Sequence, residues 1–244
     1  MKKDLREKDD AVSPVIALML ILAILATCMA VYTTTYVPGL KQQDEITHTG
    51  EVKLAFMRFA SDIDNVIALG KPAVYTEVLE LGGGDVPLSP TKSSGTIEIN
   101  TSKIGTYQID SGTEQDLNGI EISYTPSYTA WEKQGYVYQN GVVWITKEEK
   151  VTPAELKLYT IQNGTDRQNE TLQKWYPVPS GTVIIPQFTV DENKTEITGT
   201  STAKLRLNAT LSDLVTGSVS ITLSNGSPQT YSNIRWLNIE VSVE

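Results

Sequence analysis

Residues 8–16 read Lys8-Asp9-Asp10-Ala11-Val12-Ser13-Pro14-Val15-Ile16, and they join a charged leader to a long apolar segment. From Ala11 to Leu40 the chain carries thirty residues without a charge. A helix needs roughly 20 apolar residues to cross the hydrocarbon core of a bilayer, and residues 15–37 supply them. Apolar side chains surround the axis of this segment without a polar stripe, so we expect it to lie in lipid or among copies of itself.

Two other secretion signals are alternatives for this segment. A cleaved signal peptide has a positive start and a short apolar core, whereas this leader balances four basic residues against four acidic ones. Leu25-Ala26-Thr27-Cys28 is close to a lipoprotein cleavage box, but the apolar run continues past the cysteine. We therefore expect a retained membrane helix, in which Cys28 acts as a small apolar residue.

The stretch Asp9-Asp10-Ala11-Val12-Ser13-Pro14-Val15-Ile16-Ala17 resembles the N-terminus of archaeal type IV pilin precursors, which carry a class III signal peptide. In that family a charged leader and an Ala or Gly precede the cut made by the prepilin peptidase. The resemblance implies that this peptidase is a partner and that it cleaves between Ala11 and Val12 on the cytoplasmic side. Residues 1–11 are then the leader, and residues 12–37 form the retained apolar helix. Pilins prefer Gly early in that helix, where this chain has Ala17.

A weaker likeness lies further along the chain. Tyr136-Val137-Tyr138-Gln139-Asn140-Gly141-Val142-Val143 is similar to a segment in uncharacterised pilin-like surface proteins of archaea.

The composition is typical of an extracellular chain. Thr and Ser number 29 and 18, and the one cysteine cannot form an internal disulfide. The net charge of −9 argues against a nucleic-acid partner, because nucleic-acid binding requires a basic patch. The leader contains equal numbers of bases and acids, so its removal leaves the net charge at −9.

Six Asn-x-Ser/Thr sequons follow the apolar segment, more than the composition gives by chance, and they predict N-glycosylation of an extracellular head. The sequons begin at Asn100, Asn163, Asn169, Asn193, Asn208 and Asn225. The alternative is that a Thr-rich β-protein generates such triplets by composition alone.

A second helix is predicted after the apolar segment. Pro38-Gly39 is expected to break or kink the helix at the membrane surface, within a kinked amphipathic segment of residues 38–70. Apolar residues recur at spacings of three and four over residues 44–69, and Gly70-Lys71-Pro72 ends the pattern. Its apolar face requires a partner, either the sheet that follows or the same helix of a neighbouring subunit.

The remaining residues, 71–244, show the period of two that is typical of strands. The predicted strands are residues 74–81, 96–100, 120–125, 136–138, 142–146, 156–161, 183–188, 204–211, 218–223 and 234–243. Asn140-Gly141 suits a type I′ hairpin turn. Residues 82–95 and 101–118 read as loops.

The fold class is therefore α+β, with a long N-terminal transmembrane and amphipathic helix followed by a mainly antiparallel β-sandwich-like head. We expect the head, produced from about Lys71, to be a soluble β-rich monomer of reduced stability.

Signals for an enzyme are weak, and we predict no catalytic residue, no cofactor and no metal. The single histidine, His48, removes His-based triads and zinc sites with His pairs, and we expect it to face solvent or a lipid headgroup. Gly82-Gly83-Gly84-Asp85 lacks the Lys-Ser/Thr of a phosphate loop. The remaining candidates are three carboxylates, which could bind calcium, and four tryptophans, which could stack on sugars. For both sets a structural role is the stronger interpretation. They are Asp110, Glu114, Asp116, Trp131, Trp144, Trp175 and Trp236.

Two hypotheses remain. The first is a structural subunit, major or minor, of an archaeal type IV pilus-like filament that stores its helix in the cell membrane and also serves in cell adhesion. Its partners are the prepilin peptidase, the membrane, and its own copies or other pilins. The second is a permanently anchored extracellular binding module that does not polymerise. The leader favours the filament subunit, because a permanent anchor needs no peptidase junction.

Overall fold

The computed structural model describes residues 6–83, 86–89, 91–148, 150–154, 164–177, 181–224 and 226–244. One long helix opens the chain. It consists of α1 (Arg6–Val31), a π-helical turn (Tyr32–Tyr36) and α2 (Val37–Leu69). It ends at Gly70, whose φ of +57° places it in the left-handed region and whose N–H donates to the Val66 carbonyl at 2.9 Å.

The helix runs through Pro38 and Gly39, so the predicted break at this dipeptide is absent. The irregularity lies one turn earlier, where the N–H of Val37 donates to the carbonyl of Tyr32. This i→i−5 bond is the π-helical pattern. Pro38 cannot donate a backbone hydrogen bond, and it directly follows this π-helical turn, so the change in hydrogen-bond pattern lies beside the residue that interrupts it.

In the described part of the chain, eleven strands and one further helix follow the long helix. The strands are β1 (Ala73–Glu80), β2 (Ser94–Ile109), β3 (Gln115–Ser127), β4 (Gln134–Gln139), β5 (Val142–Lys147), β6 (Lys150–Pro153), β7 (Thr182–Val190), β8 (Glu196–Gly199), β9 (Thr202–Leu211), β10 (Val215–Leu223) and β11 (Gln229–Val243). The further helix is α3 (Gly164–Trp175), between β6 and β7.

The strands form one mainly antiparallel sheet in the order β1-β9-β11-β10-β2-β3-β4-β5-β6. β7 joins the free edge of β11 and is the only parallel strand among the described residues, and β8 pairs with the first half of β2. The sheet curls so that β7 also contacts β2 and β3. A long helix followed by a mainly antiparallel head confirms the predicted α+β class.

The core of the head is shared between the sheet and α2. Val52, Phe56, Phe59, Ile63 and Val66 of α2 are each at most 2% exposed, and they belong to the same apolar cluster as the inward residues of the strands. The sequence left open whether a sheet or a neighbouring helix covers this face. In the structure the sheet of the same chain covers it, through β1, β4 and β5.

Most predicted strands are confirmed, and the hairpin between β4 and β5 has positive φ at Asn140 (+46°) and Gly141 (+85°), as a type I′ turn requires. The loop predicted for residues 101–118 is wrong for most of its length. β2 continues to Ile109, and β3 begins at Gln115. β3 pairs with one edge of this polar segment, and β10 pairs with the other edge from Gly105 to Ile109. These backbone hydrogen bonds hold the segment extended, and side-chain polarity does not reveal them.

Three elements were not predicted, namely β6, β8 and α3. β6 and β8 are four-residue strands, too short for a period of two to stand out. α3 is strongly polar and is anchored by few apolar side chains, chiefly Leu172 and Trp175. The strand predicted for residues 156–161 lies outside the described residues.

Candidate functional site: the exposed stem and its joint with the head

The stem, defined here as residues 14–40 of the long helix, is an exposed apolar surface. Its large apolar side chains from Val15 to Leu40 are between 43% and 65% exposed, except for the half-buried Tyr32 and the buried Val37. The long helix is the one element in the described part of the chain that is long and apolar enough to cross a membrane, judged by length and composition. Such a surface requires lipid or other protein to cover it.

The predicted cleavage residues lie just before the stem. Ala11 and Val12 belong to α1, so the backbone of the junction is helical. Their side chains are outside the described part of the structure. Cys28 lies on the exposed surface of the stem as a free thiol.

Where the stem enters the head, polar side chains are buried. We call this cluster the joint and define it as Lys41, Glu45, His48 and Thr49 of α2 with the head residues that they contact. Lys41 is 5% exposed, and its Nζ donates to the Thr91 and Thr129 hydroxyls at 2.7 Å each. A buried ammonium group is stable only with such partners.

Glu45 is fully buried one helical turn later. Its Oε1 accepts hydrogen bonds from the Ser93 hydroxyl, the Thr129 N–H (2.9 Å) and the Thr129 hydroxyl (3.2 Å), and its Oε2 accepts from the Ala130 N–H (2.8 Å). Burial alone would raise the pKa of Glu45, but these hydrogen bonds outweigh it and hold the pKa below its ordinary value. Glu45 is therefore a buried carboxylate that binds the loops before β2 and after β3.

His48 completes the joint and corrects a prediction. It was expected to face solvent or a headgroup, but it is 3% exposed. Its Nε2 lies 2.8 Å from the Glu80 carbonyl, and its Nδ1 lies 2.7 Å from the Tyr128 hydroxyl. Because a carbonyl only accepts, Nε2 carries a proton. Thr49 also donates to the Tyr128 hydroxyl, at 3.2 Å.

The joint fixes the direction of the stem relative to the head. Side chains on successive turns of α2 bind the end of β1, the loop before β2 and the loop after β3. Each bond satisfies a buried polar group, so tilting the stem would leave several such groups without partners. These bonds therefore fix α2 on the head at the base of the stem.

The residues of the joint were not predicted, because charges just beyond an apolar segment read as solvent-exposed. The feature of the sequence that indicates their burial is their spacing. Positions 41, 45, 48 and 52 continue, at intervals of four, three and four, the buried face that runs on through residues 56, 59, 63 and 66.

The sequons lie in different settings. Asn100 and Asn193 are exposed, whereas Asn169 on α3 and Asn208 in β9 are half-buried. Asn208 lies in a strand paired on both sides, with β1 and with β11. Asn163 and Asn225 lie outside the described residues.

The other candidates do not converge on a site. Asp110 accepts the Ser218 N–H at 2.6 Å, and Asp116 pairs with Lys103. Within the described ranges, no group of three or more His, Cys, Asp or Glu residues could hold a metal ion. Gly82 packs so closely that an added Cβ would lie 2.1 Å from the Ser93 carbonyl oxygen. Trp175 is buried in the core from α3 rather than from a strand, whereas Trp131, Trp144 and Trp236 are half-buried.

No protein-family model, no curated protein and no solved structure matches this chain.

Proposed function

We propose that the chain is a structural subunit, major or minor, of an archaeal type IV pilus-like cell-surface filament. The observation that carries this proposal is the stem. It is an uncharged helix with an apolar surface open all round, and it continues without interruption into the core of the head. The peptidase-type junction at Ala11-Val12 precedes it.

The physical logic has two stages. In the membrane, lipid covers the stem, and the head lies on the extracellular side. In a filament, the stems of neighbouring copies or of other pilins replace the lipid. Apolar burial contributes about 25 cal/mol per Å², and it acts along the whole stem because no charge interrupts it. The rigid joint supports this role, since stems that pack in register require heads held at one angle.

The test is a charge at the centre of the stem. Leu22→Lys costs ~2.5–3.5 kcal/mol on membrane-insertion scales, which the long apolar neighbours tolerate. In a filament, each copy would bring an unpaired lysine into a dry core beside its equivalents, at a cost of several kcal/mol more. We therefore expect the variant to insert in the membrane and fail to assemble. The measurement compares sheared cell-surface material with the membrane fraction.

Two controls make the test specific. Leu22→Ile keeps the site apolar and should assemble. Leu69→Lys places the same charge at the exposed C-terminal end of α2, where Leu69 is 62% exposed, and should also assemble. If the wild-type protein never leaves the membrane fraction on shearing, the filament proposal is wrong and the permanently anchored binding module replaces it.

A further inference from the structure

A cavity lies on the side of the head formed by α3 and the sheet. Its volume is about 360 Å³, at the lower end of the roughly 300–1,000 Å³ that small-molecule pockets occupy. α3 forms one wall, and the adjoining parts of β2, β10 and β11 form the other. No described residue of the long helix lines it, so the cavity is separate from the stem and the joint.

The deep part of the cavity is apolar and rigid. Ile104, Ile221 and Tyr231 are buried in the sheet, and Leu172 of α3 faces them from the other wall. The hydroxyls of the two lining tyrosines are already bonded. Tyr176 donates to the Pro186 carbonyl at 3.0 Å, and Tyr231 to the Pro177 carbonyl at 3.0 Å. These rings therefore act as fixed walls that are in place before any ligand arrives.

Amide side chains surround this apolar part. Five of the lining residues are Asn or Gln, namely Asn140, Gln168, Asn169, Gln173 and Gln229. Each amide offers a donor and an acceptor side by side.

Three of these amides are held in place by the protein. The Asn140 Oδ1 accepts the Ile120 N–H at 3.1 Å, and the Gln168 Nε2 donates to the Gln139 Oε1 at 2.8 Å. The Gln229 amide lies 3.1 Å from the Tyr231 hydroxyl oxygen, and this contact fixes its position. The side chains of Asn169 and Gln173 make no hydrogen bond to the residues that the structure describes.

Among the described lining residues there is no carboxylate, and the one cation, Lys103, is paired with Asp116. These walls therefore offer no unpaired charge to a ligand. An anion or a cation would enter without a counter-ion and would lose its hydration, which is costly. A neutral ligand with several donors and acceptors and an apolar face fits these walls.

We propose that this cavity binds a neutral saccharide of one or two rings. The hydroxyls of a sugar are donors and acceptors at adjacent positions, as the amides are, and the C–H face of the ring would pack against the apolar wall at Leu172 and Leu223. This inference does not rest on the filament proposal. It holds equally for a polymerised subunit and for an anchored monomer.

The test uses the full chain in micelles of a zwitterionic detergent, because a glycoside detergent would compete for the site. The probes are maltose, cellobiose and N,N′-diacetylchitobiose at millimolar concentration, followed by saturation-transfer difference NMR and by calorimetry. We expect at least one of them to bind. Gln173→Leu and Gln229→Leu, which keep nearly the same volume, should each weaken binding about tenfold, the effect of losing one hydrogen bond.

Two matched controls accompany these variants. Gln187→Leu changes a half-buried amide of β7 outside the cavity and should leave binding unchanged. Thr171→Val removes the sequon at Asn169 without changing a residue that lines the cavity, so it should still bind, and it separates ligand binding from a glycan attached at Asn169. Thermal unfolding followed by circular dichroism checks that each variant is folded.

Three outcomes would overturn the proposal. They are no binding of any probe, equal binding by the wild type and both Gln→Leu variants, and binding of the capped, uncharged peptide acetyl-Gly-Asn-Gly-amide in place of the sugars. None of these results affects the shearing test of filament assembly.

Discussion

Glu45 is a carboxylate without solvent contact, and its hydrogen-bond donors all come from the head. Removing its charge should therefore weaken the attachment of the long helix. Glu45→Gln replaces one acceptor oxygen by an NH₂ group that faces an N–H or hydroxyl donor. Hydrogen bonds to a charged group contribute about 1.5–3 kcal/mol, so we expect a loss of this order in the free energy of unfolding.

Urea unfolding of the full chain in micelles measures that loss. The matched control is Glu51→Gln, an exposed carboxylate of the same helix, which should change stability by less than about 0.5 kcal/mol. Equal stability of the Glu45 variant and the wild type would show that the joint does not hold the stem.

The same residue predicts a pH dependence. Because the folded state holds the pKa of Glu45 below its ordinary value of 4.5, the carboxylate stabilises the fold fully above about pH 4.5. This contribution is lost as the pH falls through the lower pKa of the folded state. Urea midpoints between pH 3 and pH 6 should therefore fall more steeply on acidification for the wild type than for Glu45→Gln. Parallel curves for the two proteins would contradict this assignment.

The sequons allow a second prediction at the level of residues. Asn193 lies in the exposed turn between β7 and β8, whereas Asn208 lies inside β9 with paired strands on both sides. A glycan on Asn208 would crowd the surface of the sheet. We expect higher glycan occupancy at Asn193 than at Asn208, measured by mass spectrometry of glycopeptides from the native source. Thr195→Ala should remove the Asn193 glycan alone, and equal occupancy at the two sites would contradict the prediction.

At the scale of elements, the structure gives α2 a larger role than the sequence indicated. The sequence predicted a head that folds from about Lys71 with some loss of stability. In the structure, five large side chains of α2 lie in the main core of the head. Each contributes about 1.5–3 kcal/mol by burial, so together they are comparable with the ~5–15 kcal/mol that stabilises a typical domain.

The corresponding prediction compares two truncated chains. Residues 37–244, which keep α2 and the joint, should fold in water as a monomer. Residues 71–244 should aggregate or remain without fixed tertiary structure, because the open core is exposed. Size-exclusion chromatography and near-ultraviolet circular dichroism distinguish the two. A stable monomer of residues 71–244 would mean that α2 covers the head without being part of its core.

At the scale of the whole molecule, the stem and head have opposite solvent requirements. The stem is apolar on all sides, and the head carries the acidic excess of a chain whose net charge is −9. One end therefore needs lipid or protein, while the other is acidic and repels its copies at low salt. This polarity, together with a rigid joint, suits a subunit that packs by its stem and displays its head.

Processing of the whole chain is the prediction at this scale. If the prepilin peptidase cuts after Ala11, intact mass should show a mature chain that begins at Val12. Ala11→Leu should leave the precursor uncut, because the resemblance implies a small residue at the cleavage position. Ala17→Leu, inside the retained helix, should still be cut. A mature protein that keeps residues 1–11, or that begins at Cys28, would exclude this route.

The sequence alone was sufficient for the features set by local pattern. The exposed stem follows from thirty uncharged residues, α2 from spacings of three and four, and most strands from a period of two. The turn at Asn140-Gly141 follows from the backbone preferences of those two residues. Each of these signals is contained within a short stretch of chain, so neighbours in sequence reveal it.

Tertiary structure decided the features that depend on distant partners. Lys41, Glu45 and His48 are buried because the head supplies hydroxyl, N–H and carbonyl groups tens of residues away. β2 extends to Ile109 because β3 and β10 pair with its two edges. The amide-lined cavity exists because the fold brings α3 opposite β2, β10 and β11, with α3 held against β5. A charged residue after an apolar helix has the same local pattern whether it meets water or a set of partners, and only the fold determines which it meets.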